Sequence, residues 1–184
     1  RVLFRSGGHI HLGEDKLLDG YNGVLAIKLM DLFLGVPSLW LDKDPTSQKR
    51  RQMYGAAGRY RIKSYGAEYR TLSNFWLRSP KLVEFVFDVS EFTTNFVSEG
   101  LGDNHWDWNW DIFFEDGPIA KVWTCKTYDQ ELMREVIKTG DKKKALTLLN
   151  FAQDILPKRI NDEFSNLCDT NFGEFYEEWG IKVS

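Results

Sequence analysis

Arg5-Ser6-Gly7-Gly8-His9-Ile10-His11-Leu12-Gly13 is the stretch whose reading decides the fold. In a β-strand successive side chains alternate between two faces. Val2, Phe4, Ile10 and Leu12 then point one way, with small Ser6 and Gly8 between them. Arg5, Gly7, His9 and His11 point the other way. The first face can pack on a helix; the second is costly to bury unless it meets a metal or an anion. A second stretch answers it. In Tyr65-Gly66-Ala67-Glu68-Tyr69-Arg70-Thr71 the same period puts Glu68 and Arg70 on one face. Two such strands in one antiparallel sheet bring together an imidazole, a carboxylate and guanidinium groups, the parts that hold a divalent metal beside a phosphate.

The bulk properties narrow the partners. The chain has 184 residues, 42% hydrophobic and 15% aromatic, which suits one folded domain with a real core. A net charge of -3 and a pI near 5.7 give no reason to expect nucleic acid or an anionic membrane as partner. Cys125 and Cys168 have no metal-type spacing and are too few for a disulfide framework, so a reducing, cytoplasmic setting is expected. The most apolar stretch, Val24 to Leu41, is interrupted by Lys28, Asp31 and Pro37, and no membrane span or signal peptide is expected. The chain starts at Arg1, inside an expected strand and without a Met, which reads as a piece of a longer protein.

Past the opening strand, Leu18, Tyr21, Leu25, Leu29, Leu32 and Val36 recur at helical spacing, with Gly35 and Pro37 as the expected stop. From Leu41 to Lys63 a polar loop is expected. It carries six basic residues and no acidic one between Gln48 and Ser64, which reads either as a solvated surface segment or as an arm, hinged at Gly55 and Gly58, whose arginines close on phosphates. Ser79-Pro80 opens a second amphipathic helix with Leu82, Phe85, Val89, Phe92 and Phe96. His105 to Asp111 alternates Trp106, Trp108 and Trp110 with polar residues, as an edge strand, a packed loop, an aromatic platform or a small acidic metal site would. Thr127 to Gln130 has capping-box spacing, with Gly140 as stop. A helix from Asp141 to Leu156, showing Leu146, Leu149 and Ala152 on one side, ends at Pro157. Lys142 to Lys144 sit at its electrostatically unfavourable end.

Several enzyme classes are missing their signatures: there is no GxSxG elbow, no GxxxxGK[ST] loop, no HExxH and no Cys/His cluster. What remains is the combination of the His9-x-His11 strand, Arg50-Arg51-Gln52-Met53-Tyr54-Gly55 through Gly58, and Tyr65 to Trp76. This combination resembles the phage-type carboxylate–amine ligases (amidoligases), similar to the glutamine synthetase and glutamate–cysteine ligase superfamily. The resemblance covers about the first 100 residues. It implies an α+β fold: part of a glutamine-synthetase-like antiparallel sheet packed by helices, with a helical C-terminal tail.

The resemblance also implies a chemistry, in which ATP phosphorylates a carboxylate and an amine displaces phosphate from the acyl phosphate. By position, His9 and Glu68 match metal ligands for Mg²⁺ or Mn²⁺, and His11 matches a residue near the ATP phosphates. Arg70 and Arg5 match groups beside the transferring phosphoryl or the acid, and Arg50, Arg51, Arg59 and Arg61 resemble phosphate-contacting arginines. The partners implied are small-molecule or peptide acids and amines, in a host cytoplasm if the gene is a phage's. There is one departure. The superfamily places further metal-binding glutamates on strands ahead of its HxH strand, and Glu14 and Asp15 in the turn are poor substitutes. Residues 1–184 therefore read as a single domain, the C-terminal half of a catalytic domain that needs its N-terminal half and is inactive alone. Two other classes compete: a metal-dependent phosphoester hydrolase using His9 and His11, and a glycan- or peptide-binding module built on the Trp106/Trp108/Trp110 segment.

Overall fold

The computed structural model describes residues 7–18, 20–100 and 130–182. The architecture is α+β, a three-stranded antiparallel sheet packed by helices. Strand β1 (Ile10–Gly13) pairs with β3 (Gly66–Tyr69), and β3 pairs with β2 (Tyr60–Lys63), giving the order β1-β3-β2. The expected opening strand is shorter than its reading. Within the described residues it is β1 alone, extended by an isolated bridge between Gly7 and Ser73.

β2 and β3 form a hairpin closed by Ser64 and Tyr65, and Gly66 leaves the turn at a φ of 141°. A side chain there would be strained, and its Cβ would fall 2.0 Å from the Leu12 carbonyl oxygen of the neighbouring strand. Glycine is required by both terms. The strand β2 and the short helix α3 (Ser47–Met53) correct the reading of Leu41 to Lys63 as an irregular loop. Tyr60-Arg61-Ile62-Lys63 does alternate, but Tyr60 and Ile62 remain about 40% exposed at the sheet edge, so the apolar signal is weak.

Under the sheet runs the central helix, and here too the structure corrects the sequence. α1 (Gly20–Met30) does not stop at Gly35 and Pro37. It passes through a π-helical turn (Asp31–Gly35) into α2 (Ser38–Leu41). The wider turn lets the Val36 N–H reach the Asp31 carbonyl at 2.8 Å. Pro37 has no N–H to give, and the Ser38 hydroxyl takes up the Gly35 carbonyl at 2.6 Å. Leu25, Leu29, Leu32, Phe33 and Leu34 are all buried, as expected of a helix apolar on every side. By length and composition Asn22–Leu41 could cross a membrane, but 83% of it is buried inside the protein, as a core helix is.

Helix α4 (Pro80–Gly100) lies against this core with Leu82, Phe85, Val89, Thr93 and Val97 inward, while Phe92 and Phe96 set their rings edge-on to Phe33. The tail is helical as expected: α5 (Gln130–Thr139), α6 (Lys142–Ile155), α7 (Lys158–Asp169) and α8 (Phe175–Glu178). In α6 the inward residues are Ala145, Leu148, Leu149 and Ala152, whereas Leu146, expected on one side with Leu149 and Ala152, is exposed. The lysines at its start are offset: Asp141 caps the helix by accepting from the Lys143 and Lys144 amides, and Lys144 pairs with Glu135 at 2.5 Å. Arg5, Trp106, Trp108, Trp110, Cys125 and the Thr127 to Asp129 part of the capping box lie outside the described residues.

Candidate active site

The sheet has two unlike faces. Ile10, Leu12, Ala67 and Tyr69 turn toward the helices, and Leu12, Ala67 and Tyr69 are buried there. The other face follows from register: His11, Glu68 and Arg61 lie in one row across the three strands. Lys63 stands in the row before. His9, Arg70 and Arg59 lie beyond, where the Arg70 N–H reaches the Arg59 carbonyl at 2.9 Å. The face thus carries four basic side chains and two imidazoles around one carboxylate.

Glu68 is the hub. It is 4% exposed, and its oxygens meet His9 Nδ1 at 3.0 Å, Lys63 Nζ at 3.1 Å and Arg70 Nε at 3.3 Å. Burial alone would raise the Glu68 carboxyl; Lys63, then His9 and Arg70, outweigh it and hold it below the ordinary carboxylate value. His9 Nε2 faces Arg70 Nε at 3.4 Å. A neutral ring protonated on Nδ1 fits both neighbours, donating to Glu68 and accepting from Arg70. Burial, followed by the charge of Arg70, pushes His9 below its ordinary pKa against the pull of Glu68, which keeps the neutral form.

Beside this hub opens a cavity of about 480 Å³ lined by Gly7, His9, Arg50, Met53, Tyr54, Arg59, Tyr60 and Arg70. Arg50 reaches it from α3 and grips the chain after β3, donating to the Thr71 carbonyl at 2.7 Å and to the Leu72 carbonyl. The approach depends on Gly55, where a Cβ would lie 2.3 Å from the Arg50 guanidinium.

The structure therefore brings His9, Glu68, Arg70, Arg50 and Arg59 together. Arg61 and His11 share the face but do not line the cavity; the His11 ring turns to Tyr65, with Nδ1 2.5 Å from the phenol oxygen. His9 and His11 thus take different partners, Glu68 and Arg70 for the one and Tyr65 for the other. Arg51 stands apart, buried and paired with Asp42 at 3.5 Å, while Ser73 also donates to Asp42. Lys63 was missed by sequence reasoning, and the alternation of β2 was the signal that would have placed it beside Glu68.

A model of the family of phage phiEco32-like COOH.NH2 ligases, type 2, matches residues 2–100, a span that contains the sheet, the central helix, the cavity and α4. The chain belongs to that family. No curated protein and no solved structure matches it. The cationic face of the sheet lies within the matched span and is the candidate site. For a metal, the fit is partial. Among the described residues no group of three or more His, Cys, Asp or Glu side chains is gathered, and His9 and Glu68 are the pair available. A hard cation takes six or more ligands, mostly oxygen, so this pair would be a minority of its shell.

Proposed function

We propose that the protein joins a carboxylic acid to an amine at the expense of ATP, through an acyl phosphate. The observation that carries this reading is the convergence of Arg50, Arg59 and Arg70 on one cavity beside the His9–Glu68 pair. Transfer of a phosphoryl group needs little covalent help from protein and much positive charge around the phosphoryl oxygens. In the first step a carboxylate oxygen of the acid bonds to the γ-phosphorus and ADP leaves. In the second the amine nitrogen attacks the acyl carbon, phosphate leaves, and the amine gives up a proton.

Arg70 is suited to the transferring phosphoryl or the acid, because it stands at the cavity wall and Glu68 fixes its Nε. Arg59, its neighbour across the strands, lines the same cavity and is suited to phosphate oxygens. Arg50, spent on the Thr71 and Leu72 carbonyls, holds the wall itself. His9 and Glu68 are the residues that would hold Mg²⁺ or Mn²⁺. The ion would supply further charge neutralisation at the phosphate oxygens. A neutral His9 suits that task. The partners on this reading are small or peptide acids and amines, in the cytoplasm, with neither nucleic acid nor membrane involved.

The test is an ADP-release screen over acid and amine pairs, run on the protein as its gene encodes it. ADP release that requires both an acid and an amine is the expected result. ATP hydrolysis indifferent to both, or hydrolysis of phosphoesters without ATP, would overturn the reading.

A further inference from the structure

Behind the sheet, away from the cationic face, lies a carboxylate that the proposed chemistry does not use. Asp31 opens the π-helical turn of the central helix and is 3% exposed. Its Oδ1 accepts from the Tyr69 hydroxyl at 2.8 Å and the Thr71 hydroxyl at 3.0 Å, and its Oδ2 accepts from the Gly58 N–H. The turn is shaped for this. A Cβ on Gly35 would stand 2.9 Å from the Tyr69 hydroxyl, so glycine leaves the room that the hydroxyl needs. Burial and the nearby Asp31 push the Tyr69 phenol well above its ordinary value, so it stays a donor.

Each of the three donors adjoins an arginine of the cavity. Gly58 precedes Arg59; Tyr69 and Thr71 flank Arg70. The Thr71 hydroxyl also lies 3.1 Å from the Ala56 carbonyl, in the same loop as Gly58. One carboxylate thus ties the loop that delivers Arg59 to the strand that delivers Arg70. Packing alone does not call for it, since apolar residues fill such a position at no desolvation cost. π-turns inside helices also recur at functional sites.

We propose that Asp31 is a positioning residue: from the core side of the sheet it sets the placement of the neighbouring Arg59 and Arg70 at the cavity and so preorganises the pair for an anion. The inference rests on the phosphate reading of the cavity only for the identity of that anion. Preorganised groups bind more tightly because less freedom is lost on binding.

The experiment compares the intact protein with Asp31→Asn, by amide hydrogen exchange and by titration with inorganic tripolyphosphate. Asp31→Asn is expected to keep the helical circular dichroism and to speed exchange at residues 58–61 and 70 but not in α4. It should weaken tripolyphosphate binding by about tenfold. Parental exchange and affinity would overturn the proposal. So would exchange quickened evenly through the core, which would make Asp31 a stabilising residue only. A parental protein that does not bind tripolyphosphate would sink the phosphate reading instead, and the local exchange would then decide on Asp31 alone. Should Asp31→Asn fail to fold, Thr71→Val removes one donor at similar volume. Local exchange quickened around Arg70 supports the proposal there, and parental exchange overturns it.

Discussion

Replacing Glu68 by Gln separates the two properties of the site. The carboxylate is 4% exposed and is the sole acidic group in the rows of the sheet face, against Lys63, Arg61, Arg59 and Arg70. A negative charge held by Arg70 in the cavity would stand roughly 7 Å from it. At an effective dielectric constant of about 20–40 the two repel by about 1–2 kcal/mol. Without metal, Glu68→Gln should therefore bind ATP about 5–30-fold more tightly. If Glu68 holds the ion as proposed, the gain should vanish or reverse with Mg²⁺. The amide keeps one acceptor oxygen and turns an NH2 to the remaining cation, which should cost about 1–3 kcal/mol of stability, visible as a lower Tm. Calorimetric titration with ATP, with Mg²⁺ and with a chelator, reads all of this except the melting shift. Equal loss of affinity in both conditions, or an unchanged Mg²⁺ dependence, would refute the reasoning.

Arg70→Ala should lower kcat of the ligation by a hundredfold or more while changing Tm little, since charge at the transferring phosphoryl acts chiefly in the transition state; near-normal turnover would refute the assignment. Asp31 makes stability depend on pH in an unusual direction. Burial pushes its pKa from 3.8 up to about 7, so the folded state binds its proton first, and stability should rise by about 2 kcal/mol as pH falls from about 8 to about 5.5. Asp42, also raised by burial, adds in the same direction, so the difference between parental and Asp31→Asn melting curves isolates Asp31; parallel curves would contradict it. Arg51→Met should cost about 3 kcal/mol by leaving Asp42 unpaired, with tripolyphosphate affinity unchanged in the folded protein. A loss of affinity without loss of stability would return Arg51 to the site.

The polar and apolar faces of β1 and β3 were legible in the sequence because a two-residue period leaves no freedom: His9, Glu68 and Arg70 had to share a side. Their pairing across one sheet followed from the same alternation, and Lys63 would have followed had β2 been recognised. The central helix was legible as core but not in its course. Glycine and proline at positions 35 and 37 normally end a helix, and the π-turn that carries the chain past them has no local signature. Arg50 and Arg51 are adjacent and chemically alike, and only the fold tells the one at the cavity wall from the one buried against Asp42. Asp31 looked like an interruption in an apolar run. Its three donors come from residues 27 to 40 positions away, which no window of sequence displays.

The central claim is that ATP phosphorylates the acid and the amine then displaces phosphate from the acyl phosphate. Its most direct test is ligation with an acid labelled with ¹⁸O in both carboxylate oxygens, followed by mass analysis of the released phosphate. The account predicts one ¹⁸O in each phosphate, carried over when the amine cleaves the acyl phosphate. Unlabelled phosphate from a reaction that forms the amide would contradict it.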